Sequence, residues 1–245
     1  MSLERRKLRL TIIQLMKAKY MAPNVFTYWR MVQLRKIFGW NSDKSLVYKA
    51  RTFRNEWKYY LSLWDCQVLR ERFQAVMQRD PYAKGGVYIL RSLYFDDYWD
   101  SSYQDKMSGV NHRKKYRIRI YNYSDSSIKL ERKIKEGNYI YKESASLTRE
   151  EYERIMEGKY EFLLNHPNQL CREFYYECTV HVMRPKLIVD YEREPFILPE
   201  GNVRITFDRD IRAGAPEQDI FNPELPSYEV FPYEMLVMEV KFTEF

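Results

Sequence analysis

Lys115-Tyr116-Arg117-Ile118-Arg119-Ile120 is the stretch that decides the fold. A β-strand sends successive side chains to opposite faces, so Lys115, Arg117 and Arg119 share one face and Tyr116, Ile118 and Ile120 the other. The same period of two recurs on both sides of this stretch. Arg54, Glu56 and Lys58 share a face, as do Lys129, Glu131 and Lys133. Arg204, Thr206 and Asp208 alternate with Val203, Ile205 and Phe207, and Glu239 and Lys241 alternate with Met238, Val240 and Phe242. An antiparallel sheet with one wet face produces such alternation. Two features favour a more specific arrangement. The charged positions recur in five separated strands, and basic residues outnumber acids on them.

Charge elsewhere in the chain sharpens the contrast. The 245 residues carry a net charge of +7, yet residues 1–40 alone hold nine Lys or Arg against the single acid Glu4. The rest of the chain is therefore close to neutral, and any anion it binds is held by concentrated sites and not by a global field. If the basic faces close on one another as a barrel, they line its interior. Like charges crowded in a poorly solvated space are unfavourable when empty. A polyanion with a metal ion would fill such a space. Phosphate chains suit it, because Arg grips phosphate bidentately and Lys acts as a point charge.

Composition bounds the rest. A 45% hydrophobic content supports one substantial core, and 22 Tyr and 13 Phe with only 8 Gly suit half-wet strands. Residues 1–50 read as a basic, helical extension and residues 51–245 as the domain. Val25 to Trp40 is expected to pack as a helix, with contact to a membrane surface or to nucleic acid as the alternative for residues 1–40. Cys66, Cys171 and Cys178 are odd in number and form no Cys-x-x-Cys, which fits a reducing compartment. No run approaches the roughly 18 apolar residues of a membrane helix and no signal-peptide core opens the chain. A cytoplasmic protein, peripheral to a membrane at most, is the expectation.

Strands are expected at Thr52–Leu61, Val87–Asp96, Lys115–Tyr123, Ser127–Ile134, Tyr139–Ala145, Phe174–Val182, Lys186–Tyr191, Asn202–Asp208 and Met235–Phe242. Ser62 should cap a helix over Leu63–Arg79. Thr148, with Glu151 completing a capping box, should cap one over Arg149–Leu164. Arg212–Tyr233, with four Pro, reads as a long surface loop. Asp96 reads as a turn cap, and Tyr94 and Phe95 as wall packing.

Seven segments in order resemble the VTC domain, a branch of the CYTH-like triphosphate tunnel metalloenzymes. They are Arg54-Asn-Glu-Trp-Lys58-Tyr, Ser92-Leu-Tyr-Phe-Asp96-Asp, Lys115-Tyr-Arg-Ile-Arg-Ile-Tyr, Lys129-Leu-Glu-Arg-Lys133, Asp190-Tyr-Glu-Arg193, Val203-Arg-Ile-Thr-Phe-Asp208 and Glu239-Val-Lys241. The resemblance implies an α+β fold, an antiparallel β tunnel barrel with a few flanking helices. It also implies a polyphosphate polymerase that takes ATP and inorganic polyphosphate and depends on a divalent metal, Mn2+ before Mg2+. Carried over by motif, Lys58, Arg117, Arg119, Lys133, Arg193 and Arg204 become the catalytic cations. Arg54, Lys115, Lys129, Lys142 and Lys241 become further phosphate ligands, and Glu239 with Glu131 the metal ligands. Arg54 stands where the superfamily's Glu-x-Glu-x-Lys signature has its first Glu, which weighs against the rival reading of a triphosphate hydrolase. The family pattern also implies a basic C-terminal helix closing one tunnel mouth. The sequence ends at Phe245 before any such helix, so a domain that binds polyphosphate without extending it is a further reading. The alternative of another class is a nucleic-acid-binding protein acting through residues 1–40.

Overall fold

The alternation around Arg117 builds the centre of one ten-stranded antiparallel sheet in a computed structural model that describes residues 55–243 apart from Asn138. The extension expected over residues 1–50, and Arg54, lie outside the described residues. The strands are β1 (Asn55–Ser62), β2 (Gln78–Arg79), β3 (Tyr88–Asp96), β4 (His112–Tyr121), β5 (Ser124–Glu136), β6 (Tyr139–Leu147), β7 (Arg184–Leu198), β8 (Val203–Gly214), β9 (Ser227–Glu229) and β10 (Met235–Phe242). Their main order is β1-β10-β8-β7-β3-β4-β5-β6, with β2 added to β7 and β9 to β8. Asn122 and Tyr123 take left-handed φ values of 48° and 59°, which closes the tight β4–β5 hairpin.

Among the described residues five helices flank the sheet: α1 (Leu63–Val76), α2 (Ser101–Met107), α3 (Arg149–Met156), α4 (Glu161–Leu164) and α5 (Gln169–Val180). Capping boxes at Ser62/Asp65 and Thr148/Glu151 start α1 and α3 as the sequence predicts. One face of the sheet is apolar and carries the core. Leu93, Phe95, Tyr116, Ile118, Ile120, Ile128 and Leu130 pack beneath Tyr152, Ile155, Leu163, Leu170, Cys171 and Phe174. A second cluster seats α1 through Cys66, Leu69 and Phe73 on Phe196, Phe207 and Leu236. The opposite, charged face is left to line the hollow of the curled sheet.

Several sequence expectations are corrected. Phe174–Val182 is not a strand, because Phe174 to Val180 belong to α5. Its Phe, Tyr and Val favour strands locally, but Leu170, Cys171, Phe174 and Cys178 form a helical stripe buried in the core, and burial decides. Glu177 is accordingly a helical carboxylate. The helix after Thr148 breaks at Gly158, whose φ of 76° ends α3 before α4 begins. The Ser62-capped helix stops at Val76, and Gln78–Arg79 pair with β7 instead. The Arg212–Tyr233 loop contains the end of β8 and the whole of β9. α2 was not foreseen. Asp96 does cap, its carboxylate accepting from the backbone N–H groups of Asp97, Ser102 and Tyr103.

Phe174 stacks edge-on against Phe95, with ring centroids 5.1 Å apart, and is fully buried. Phe174→Ala should lower the unfolding free energy in urea by about 3–5 kcal/mol, the cost of a large core cavity; a loss below about 1 kcal/mol would remove α5 from the core.

Candidate functional site: a cation-lined tunnel

Pairing register places the charged residues side by side on one face. Lys58 lies opposite Glu239, Glu239 opposite Thr206, and Lys241 opposite Arg204. Farther along, Arg119 faces Lys129, Arg117 faces Glu131, Lys115 faces Lys133, and Lys133 faces Lys142. Every expected site residue in the described range therefore falls on the same wall. Across the middle of that wall ten cations stand against four carboxylates, Glu56, Glu131, Asp208 and Glu239.

The four carboxylates divide the cations into two groups. Around the first, Glu239 accepts from Lys241 Nζ at 2.7 Å and from Arg193 at 3.3 Å, with Lys58 Nζ at 3.4 Å. Arg193 is clamped by Asp208 at 2.6 and 2.7 Å, and buried. Burial alone would push the Glu239 carboxyl up, but Lys241, Lys58 and Arg193 hold it far below the usual range. Burial opposes the charge on Lys58, yet Glu239, Glu56 and Asp208 together raise its pKa. Lys241 is brought down to about 8, chiefly by burial, against the pull of Glu239.

In the second group Glu131 is buried between three cations. Arg117 donates to it at 2.8 and 2.7 Å, Lys142 at 2.6 Å, and Arg119 lies at 3.9 Å. Burial would raise the Glu131 carboxyl, but Arg117, Arg119 and Lys142 bring it down to about 2. Arg119 is 6% exposed and its hydrogen-bond acceptors are neutral, Ser92 Oγ at 3.1 Å and the Tyr191 hydroxyl at 3.0 Å. Lys129 donates to Ser146. Lys115 is half-buried, and burial together with the nearby Lys106 and Arg113 lowers its pKa.

Lys133 joins the two groups. From β5 it reaches the Glu56 carboxylate on β1 at 2.6 and 2.8 Å. No backbone ladder links β1 to β6 among the described residues, so this ion pair spans the seam of the curled sheet. Arg204 is engaged apart from both groups, donating to Asp80 at 2.6 Å and to the Tyr88 hydroxyl at 2.9 Å.

Sequence reasoning missed the neutral partners. Tyr94, read as packing, faces the tunnel, where its hydroxyl accepts from Arg117 at 3.0 Å; Phe95 points into the core. The period-two rule contained this signal, since Ser92 and Tyr94 oppose Leu93 and Phe95 in parity. Burial would raise the Tyr94 phenol, but Arg117, Arg119 and Lys133 bring it down to about 8. Asp80 carried no signal, because it comes from a loop.

Among the described residues no three His, Cys, Asp or Glu side chains gather as a metal cage. A Mg2+ or Mn2+ ion carried by a phosphate chain needs only one or two protein carboxylates. Glu239 has the Glu56 carboxyl within hydrogen-bonding reach. Beside it, the Thr206 hydroxyl is 1% exposed and its oxygen has no partner. Two carboxylates and an orphaned hydroxyl are hard oxygen donors, and the set fits such an ion.

An antiparallel sheet curled around a cationic lumen, with helices outside, defines a tunnel protein. A putative adenylate cyclase from Bacillus halodurans shares the fold at a TM-score of 0.50 and 10% identity, over 79% of this chain and 82% of that one. A putative adenylyl cyclase from Hippeastrum, described as having a dominant triphosphatase activity, aligns at a TM-score of 0.47 and 11% identity over 78% and 80% of the two chains. No curated protein sequence matches. The model of the VTC domain matches residues 53–245, and the chain belongs to the VTC domain family. Among the described residues no helix is long and apolar enough to cross a membrane.

The Tyr94 environment has a direct signature. Tyrosinate absorbance of the ligand-free protein should show a step at about pH 8, and Tyr94→Phe should abolish it. A first step above about pH 9.5 would contradict the described cation cluster.

Proposed function

We propose that this domain polymerises inorganic polyphosphate, transferring the γ-phosphate of ATP to the end of a growing chain held in the tunnel. The observation that carries the proposal is the excess of cations over carboxylates along one continuous wall. Arg119 in particular is a buried guanidinium whose hydrogen-bond acceptors are hydroxyls; Glu131, already gripped by Arg117 and Lys142, comes no nearer to it than 3.9 Å, so much of its charge is left for a ligand. A single phosphate would not match cations distributed over seven strands; a chain of phosphates would.

Phosphoryl transfer needs alignment and charge neutralisation more than covalent chemistry. Arg117, Arg119, Lys133 and Lys142 would align one stretch of phosphates, and Lys58, Arg193 and Lys241 the other. The acceptor phosphate is already an anionic nucleophile, so no general base is required. Glu239, with Glu56 and Thr206 beside it, would hold a divalent metal. Bound there, the ion would supply neutralisation of charge on the phosphate oxygens. Lys58 is half-exposed at one edge of the cluster, where it can follow a phosphate into place. Membership of the VTC family agrees with this reading, and the fold is compatible with it.

Purified protein incubated with ATP, Mn2+ and a short polyphosphate primer should give a polyphosphate ladder on a stained gel. Glu239→Gln and Lys58→Ala should each reduce it by about a hundredfold or more, as loss of a positioned charge does. Orthophosphate release without a ladder would replace transfer by hydrolysis. Tight polyphosphate binding with no turnover would leave a binding domain.

A further inference from the structure

We propose that Tyr94 is a direct ligand of the bound polyanion, its hydroxyl donating to a phosphoryl oxygen held among Lys115, Arg119 and Lys133. The inference rests on the reading of the tunnel as a phosphate site and adds to it a neutral residue. Tyr94 lies on β3, opposite Arg117 of β4 and Leu187 of β7. Its oxygen already accepts from Arg117 Nη1 at 3.0 Å. A phenol has one proton of its own to give. That proton has no acceptor among the described residues.

The surroundings specify what the missing acceptor must be. From β4, Arg117, Arg119 and Lys115 act on the phenol, and from β5, Lys133 does. Leu187 on β7 brings no charge. On its own strand, Asp96 lies toward Lys115. Glu131 accepts from Arg117, with no hydrogen bond to Tyr94 among the described residues. An acceptor arriving here has to bring negative charge to the cations and a lone pair to the phenol at once. A phosphoryl oxygen does both. Holding Arg117 in place does not account for Tyr94, because Glu131 already grips that guanidinium through two nitrogens.

This arrangement couples binding to a proton. Burial pushes the phenol up while Arg117, Arg119 and Lys133 draw it down to about 8, so it is largely ionised one unit above that. A phenolate cannot donate and repels the ligand. The complex therefore requires protonated Tyr94, and binding under mildly alkaline conditions takes up a proton.

Calorimetric titration of the full chain with metal-free tripolyphosphate tests this, at about pH 9 and about pH 7, in two buffers of different ionisation enthalpy. The wild type should take up protons at the higher pH. Tyr94→Phe should bind about ten- to a hundredfold more weakly at about pH 7, the loss expected for one charge-assisted hydrogen bond. It should also show a proton uptake at the higher pH smaller by more than half a proton, as follows from a phenol titrating at about 8. Every other titrating group is common to both proteins, so the difference isolates Tyr94. Equal uptake in the two proteins overturns the inference, and weaker binding with equal uptake overturns it too, leaving Tyr94 as a support for Arg117. Absence of binding to the wild type overturns the phosphate-tunnel reading itself. Should Tyr94→Phe not fold, tyrosinate absorbance of the wild type decides. The step at about pH 8 should move up by about one unit or more with saturating tripolyphosphate, and an unmoved step refutes the role.

Discussion

Repulsion among the cations of the inner wall is the constraint on which the rest of this structure depends. Two like charges about 4 Å apart cost about 4 kcal/mol at the effective dielectric of a protein surface, and more where water is excluded. A domain has only about 5–15 kcal/mol of net stability to set against such terms. The wall can therefore exist only because its cations are spaced by strand register and interrupted by Glu56, Glu131, Asp208 and Glu239. The apolar outer face, with its helices and buried aromatic cluster, supplies the stability that the inner face consumes.

Two kinds of partner solve this problem differently. A carboxylate such as Glu131 or Asp208 neutralises the cation it holds, and so removes part of the attraction a polyanion would feel. A hydroxyl such as Ser92, Tyr94 or Tyr191 fixes a guanidinium by hydrogen bonds and leaves its charge intact. Arg193, locked on Asp208, is held rigidly in the wall with part of its charge already answered. Arg119, locked on hydroxyls with Glu131 only at 3.9 Å, keeps more of its charge for a ligand. The distribution of carboxyl and hydroxyl partners thus matters as much as the number of basic residues.

Much of this was legible in the sequence, because alternation converts directly into facing. Lys115, Arg117 and Arg119 share a wall for the same reason that Ile118 and Ile120 share a core. Seven short segments in order were enough to suggest the family. What was not legible depended on partners distant in sequence. Nothing local says that Lys133 crosses to Glu56, or that Arg204 meets Asp80 from a loop. Burial likewise overrode propensity at Phe174, where strand-favouring residues form a helix because the core needs a stripe there. Tyr94 was visible by parity and misread, since a tyrosine between Leu93 and Phe95 looks like packing until its hydroxyl is followed.

The pairing of β1 with β10 joins the first described strand to the last, about 180 residues apart along the chain. Contacts of such long separation form late and slowly. During synthesis β1 would leave the ribosome with one flank bare, its exposed Trp57 and Tyr59 unpartnered until β10 arrived. The wall that carries Lys58 and Glu239 can be assembled only after nearly the whole domain is made. A nascent chain thus exposes sticky edges but no complete polyanion grip.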